Sequence, residues 1–211
     1  MTCAICEIRR PKRFCPGMNA EICTLCCGNE REVTVACPLE CEFLQEARRH
    51  EKPVELDPAQ LPNRDIHVPE KFLREHEDLL AFLGQALARA SFSTPGTADP
   101  DVREALEALI RTYRTLQSGV YYDTVPQGLP AASLYRHVQQ GIAEFREAEQ
   151  QRLGASRTRD ADILGLLVFL QRLELTRANG RTRGRAFLGA LQEYYSAVAE
   201  PETSSSSLIL P

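Results

Sequence analysis

All eight cysteines of the chain fall between Cys3 and Cys41, as Cys3, Cys6, Cys15, Cys23, Cys26, Cys27, Cys37 and Cys41, and residues 42–211 hold none. Cysteines used as small core hydrophobes are scattered among other apolar residues, so this clustering calls for a chemical cause. Thiolates are soft, strong donors for zinc, and four of them close a tetrahedral structural site that leaves no position for water or substrate. Eight thiolates therefore suggest two such sites and two Zn2+ ions per chain. A segment this short has little apolar area to bury. Metal binding, worth roughly 10–16 kcal/mol in apparent terms for a zinc-finger-sized unit, would fold it instead.

The spacing is informative. Cys3-Ala4-Ile5-Cys6 is a C-x2-C knuckle, and Cys23 with Cys26 or Cys27 offers a second pair. Cys15, Cys37 and Cys41 then lack one ligand, which the remaining member of the Cys26–Cys27 doublet can supply. Adjacent residues point in different directions, so the doublet can feed both ions and the two sites interleave. Spacing alone leaves open which cysteine of the doublet serves which site. Rival chemistries fit less well. The C-x2-C-x2-C-x3-C-P run of bacterial ferredoxins is absent. No βαβ pattern surrounds the Cys23–Cys26 pair, as a redox dithiol would require. A catalytic zinc would need the second site to keep water in place of the doublet ligand.

Taken together, Cys3-x2-Cys6, Phe14-Cys15-Pro16, Ile22-Cys23-Thr24-Leu25-x-Cys27 and Cys37-x3-Cys41 resemble the HIT-type zinc finger, whose cross-brace is related to that of B-box modules. The resemblance is confined to residues 1–50. It implies Cys3, Cys6, Cys23 and Cys27 as ligands of a first zinc, and Cys15, Cys37 and Cys41 as three ligands of a second. Where the family carries another cysteine this chain has Met18, and Cys26 would replace it, or the doublet would exchange roles. It also implies a module that makes protein–protein contacts.

Within the module, the residues before Cys15 read as a turn and a short strand, and Cys15–Asn19 as a turn, giving a short β-hairpin. Glu32-Val33-Thr34-Val35-Ala36 alternates polar and apolar residues as another strand would. Cys37-Pro38-Leu39-Glu40-Cys41 reads as the start of a helix, with Pro38 in its first turn and the helix running to Glu51.

The rest of the chain is helical in pattern. Residues 52–68 are rich in proline and make a linker or a surface strap. Residues 69–199 read as an all-α bundle of five helices, over 69–93, 100–118, 131–152, 160–178 and 186–198, with apolar residues at three- and four-residue spacing. Asp99 stands as N-cap of the second of these, with Pro100 in its first position. The stretch Ile163 to Leu170 is apolar on nearly every side and belongs in the centre of the bundle. Residues 200–211, with four consecutive serines, read as a disordered tail. The fold class is thus mainly α, a small cysteine module followed by a helical bundle.

Function follows only in outline. The formal net charge of -4 provides no basic field over the whole chain. Two basic patches remain, Arg9, Arg10, Lys12 and Arg13, and Arg177, Arg181, Arg183 and Arg185. They support an alternative reading as a nucleic-acid-binding regulator. Otherwise they offset thiolate charge and complement a helix end. Tyr121 and Tyr122 are candidate contact residues in a loop. His50, His67, His76 and His137 have no metal-ligating partner at helical spacing. No G-x-S-x-G, phosphate-loop or H-E-x-x-H motif occurs, so no enzyme activity is expected. No leader is evident, and no apolar run is long enough to span a bilayer. Clustered cysteines without a leader suit metal binding in the reducing cytoplasm, away from membranes. The expected role is that of an adaptor with a protein partner.

Overall fold

Helical periodicity from Leu79 to Leu191 is realised as a set of packed helices around one apolar core. The computed structural model describes residues 2–52, 57, 59, 61–119 and 122–195. Among these, the chain is mainly helical, with one small antiparallel sheet. Strands β1 (Arg13–Cys15) and β2 (Ala20–Ile22) form a hairpin, with Arg13 opposite Ile22 and Cys15 opposite Ala20. Helices α1 (Thr24–Glu30) and α2 (Glu42–Arg49) complete the cysteine module. The helical body follows as α3 (Glu70–Glu75), α4 (Glu77–Ser93), α5 (Asp99–Gln117), α6 (Leu129–Leu153), α7 (Asp160–Arg177) and α8 (Ala186–Tyr194). No helix among the described residues is long and apolar enough to cross a membrane.

Two separate clusters of buried side chains result. One is built on α4 to α8. The other consists of the cysteines with Ile22, Val35 and Leu44. Helix α7 lies at the centre of the first, packed against α4, α5 and α8. Ile163, Leu164, Leu166, Leu167 and Val168 are all buried, as their all-round apolar pattern requires. Gly165 makes room there for the α3 phenylalanine: a Cβ would meet Phe72 Cζ at 2.8 Å, and the ring would have to move off α7.

The structure corrects several expectations. The expected helix over 69–93 is broken at His76, whose backbone leaves helical geometry (φ -120°, ψ 29°). Its ring sits 2.9 Å from the Phe72 carbonyl and 3.4 Å from Asp162. Those contacts compete with the helical ladder. Glu32–Ala36 is a turn rather than a strand, with a single bridge between Arg31 and Val35. Glu32 itself has φ +54°, which no strand tolerates. The helix expected from Cys37 begins only at Glu42, because Cys37 and Cys41 face a cavity of the module instead of a helix axis. Helix α1 was not legible in the sequence.

Asp99 also has a different task. Ala98 is the N-cap of α5, and Asp101 accepts its N–H at 2.9 Å. The buried Asp99 carboxylate instead accepts the N–H groups of Phe187 at 3.0 Å and Leu188 at 3.1 Å. It therefore caps α8 from another helix. Burial pushes its pKa up from 3.8 to about 6, against those two N–H groups, which pull it down. A folded-state pKa above the unfolded one means that the folded protein holds the proton longer. Stability linked to Asp99 is then complete below pH 4 and is lost as pH rises through 6, by about 3 kcal/mol. Urea midpoints of wild type and Asp99→Asn between pH 4 and pH 7 should converge or cross in that direction. Parallel profiles would show that Asp99 does not titrate there.

The segment before α3 is a strap where it is described. Arg114 holds Asp65 with two bonds of 2.7 Å and reaches Asn63 at 2.8 Å. Arg172 donates to the carbonyls of Asn63 and Ile66, and Ile66 and Val68 pack on the core. Tyr121, most of the proline-rich stretch before Leu61 and the serine tail over 200–211 lie outside the described residues.

Candidate metal centre

The hairpin and α1 assemble the first cysteine group. Glu21 accepts Ala4 N–H at 3.0 Å and Arg9 accepts Cys3 N–H at 2.9 Å, which folds the N-terminal loop onto β2. Cys23 is the N-cap of α1, and its sulfur accepts the N–H of Cys26 at 3.5 Å. The Cys3 sulfur accepts the N–H of Cys23 at 3.2 Å. The sulfurs of Cys3, Cys6, Cys23 and Cys26 all lie within 4.8 Å of one another, and every one of these residues but Cys6 is buried. This group could hold one metal ion.

The electrostatics of the group call for a cation. Burial raises the pKa of Cys3, but the N–H groups of Cys6, Cys23 and Ile5 outweigh it and lower the thiol to about 6. Cys26 is pushed up to about 12 by burial and by the neighbouring sulfurs of Cys23, Cys6 and Cys3. Four thiolates this close repel one another, and only a positive charge among them lets all ionise. Soft donors in a closed set of four suit a tetrahedral ion. Arg9 supplies part of the positive charge. Its own pKa is raised by a hydrogen bond to Cys6, with a lesser contribution from Cys23.

The other four cysteines meet elsewhere in the module. Cys15, Cys27, Cys37 and Cys41 line one small cavity of about 20 Å³ whose remaining wall includes Ile22, Val35 and Leu44. That space holds about one water-sized sphere. Their sulfurs do not close as tightly as the first group. Burial raises the Cys37 pKa, the Glu32 N–H opposes it, and the charges of Glu32, Cys15 and Cys41 add to the rise. The Cys27 sulfur receives Arg13 Nη1 at 3.5 Å, and the same guanidinium lies 4.3 Å from the centre of the Phe43 ring.

The doublet is therefore divided. Cys26 joins Cys3, Cys6 and Cys23, whereas Cys27 faces the cavity of Cys15, Cys37 and Cys41. This exchanges the roles that the finger resemblance implies. The reason is local: Cys26 and Cys27 sit on a helix, where successive side chains diverge by about 100°.

Three side chains of the basic patches, those of Arg9, Arg13 and Arg181, have internal partners, and Arg183 and Arg185 reach the module through their main-chain N–H groups. Arg9 and Arg13 face thiols, as above. Arg181 donates to the Arg31 carbonyl at 2.8 Å, and the N–H groups of Arg183 and Arg185 bond to Glu32 at 2.8 Å each. The N–H of Arg183 reaches the Glu32 carbonyl, and that of Arg185 reaches its carboxylate. In the helical body, the polar groups of the α5–α6 cleft engage one another. Tyr135 bonds Thr112 at 2.9 Å and Asp123 at 3.0 Å, and Arg146 pairs with Asp160 at 2.6 Å.

Sequence reasoning missed Glu32. Its side chain is fully buried and accepts from Arg48 at 2.9 Å, Asn179 at 2.7 Å and the Arg185 N–H. Nothing in the local pattern marks it, since its partners lie far along the chain. Compared with models of known protein families, with curated proteins and with solved structures, the chain matches none.

Proposed function

We propose that this chain is a zinc-binding interaction protein whose metal is structural and whose cysteine module forms a two-zinc cross-brace. The observation that carries this reading is the closed set of Cys3, Cys6, Cys23 and Cys26, whose sulfurs lie within 4.8 Å of one another. Four thiolates fill a tetrahedral zinc and leave no coordination position for substrate, so the ion supports shape rather than reaction. Zinc is favoured because the donors are all thiolates and the site needs no redox partner. The second ion would be held by Cys15, Cys27, Cys37 and Cys41, whose shared cavity has room for one small sphere. HIT-type fingers share this interleaved order, with the doublet exchanged here. A metal-rigidified surface carrying exposed Ile8, Phe14 and Leu25 suits protein contact better than catalysis. The helical body is the frame on which that surface is presented.

Elemental analysis of the purified chain should give two zinc ions per molecule. Cobalt(II) substitution should give the intense visible bands of tetrahedral thiolate coordination, with a titration endpoint of two. One ion per chain would overturn the second site. Iron with its own chromophore would overturn zinc. Affinity purification of the full chain against a module-deleted form then tests whether partners follow the module. Salt-dependent binding to nucleic acid instead would favour the basic patches.

A further inference from the structure

The cysteine module and the helical body meet where α2 lies beside α8, with Arg48 and Leu39 next to Gly189, and at one loop on each side. The module offers Arg31, Glu32 and Val33, and the body offers the connection between α7 and α8. Arg31 and Val33 carbonyls accept Arg181 Nη1 and Thr182 Oγ1, both at 2.8 Å. Between them the Glu32 carbonyl accepts Arg183 N–H, and the Glu32 carboxylate takes Arg185 N–H and Asn179 Nδ2. Arg48 of α2 completes the carboxylate shell. On the far side, the Gly184 carbonyl accepts Asp99 N–H at 2.7 Å, which ties the same connection to α5. Gly184 cannot be replaced freely, since a Cβ there would meet Asn179 Oδ1 at 2.5 Å.

Glu32 is held in an unfavourable state by its surroundings. It has φ +54°, and its carboxylate is shut off from water. Both features persist only where neighbouring structure over-determines them. The segment that imposes them runs from Cys27 to Cys37, and both of its ends face the second cysteine cavity. The Glu32 N–H itself bears on the Cys37 thiol. Beyond the end of α1, this segment has no strand and little apolar burial to shape it.

We propose that Glu32 is a metal-dependent latch: closure of Cys15, Cys27, Cys37 and Cys41 around an ion shapes the Glu32 turn, and loss of that ion releases the module from the α7–α8 connection while the helical body stays folded. The inference rests on the two-zinc reading. It makes the metal state of one site regulate whether the Glu32 turn grips the α7–α8 connection. The two buried-core clusters share no residue, so the body can keep its own packing when the latch opens.

The test is amide hydrogen exchange on the full zinc-loaded chain, with metal content measured on the same samples. Cys37→Ser should bind one ion and speed exchange of the Arg183 and Arg185 amides by about 100-fold, as expected for losing bonds to a buried charged residue. Amides of α5 and α7 should stay protected. Cys6→Ser should also lose one ion but leave Arg183 and Arg185 protected. Glu32→Gln should keep both ions and still loosen the Arg185 amide. If Cys37→Ser keeps two ions, the two-zinc reading is wrong. If it loses one and both amides stay protected, the latch is wrong and the two-zinc reading stands. Loss of protection throughout α5 and α7 would overturn the independence of the body. Graded chelation of the wild-type chain gives the same readout without a substitution, and release of the second ion with both amides still protected would overturn the latch.

Discussion

Replacing Cys26 or Cys27 singly by serine is expected to remove one metal ion from the chain, a different one in each case. Cys26 lies with Cys3, Cys6 and Cys23, whereas Cys27 lies with Cys15, Cys37 and Cys41. On the two-zinc reading each ion would contribute roughly 10–16 kcal/mol in apparent terms, far more than the small apolar cluster around Ile22, Val35 and Leu44 supplies alone. Each substitution should therefore abolish protection in its own half of the module, as well as lowering metal content by one. Cobalt spectra should lose half their visible intensity. A variant at either position that still binds two ions would show that the doublet is not divided between two sites.

The second large effect lies in the helical body. Glu174 of α7 has a fully buried side chain, and Arg103 of α5 holds both of its oxygens, at 3.0 and 2.9 Å. Burial raises the Glu174 pKa, and Arg103 opposes that rise. Arg103→Ala leaves the carboxylate buried without its cation, which should destabilise the protein by about 3–5 kcal/mol. The loss should be smaller in acid, where protonated Glu174 needs no partner. Urea denaturation of wild type and Arg103→Ala at two pH values measures both. A loss under about 1 kcal/mol would mean that the pair behaves as a surface ion pair. Replacing both residues together by apolar side chains should recover much of the loss, since the exposed cost is the unpaired charge.

The two pairs differ in how they could be read beforehand. Cysteine spacing pointed to the group of Cys3, Cys6, Cys23 and Cys26 because its members recur as pairs within a few residues. The helices of the body were legible for a similar reason. Apolar residues at three- and four-residue spacing mark α4 to α8, and the all-round apolar stretch of α7 marks its central place. Gly119 and Gly154, at φ +74° and +77°, end α5 and α6 as glycines past a helix commonly do. By contrast, α1 is seven residues long and carries Cys26, Cys27 and Gly28, which show no amphipathic period. The turn at Glu32 reads as a strand by alternation, yet its carboxylate is drawn inward by Arg48 and Asn179. Asp99 is a plausible cap for its own helix, and nothing local says that it caps α8 instead.

Sequence by itself determined the cysteine-rich module, the helical character of the rest and the buried position of α7. These follow from composition, ligand spacing and periodicity, which act within a turn or two of the chain. The tertiary structure decided which member of the Cys26–Cys27 doublet joins which group, where Glu32, Asp99 and Glu174 find their partners, and that the arginines around Gly180 meet the module. Those outcomes depend on residues as far apart as Glu32 and Asn179. A buried carboxylate takes whatever donors the fold brings to it, and only three-dimensional packing specifies them.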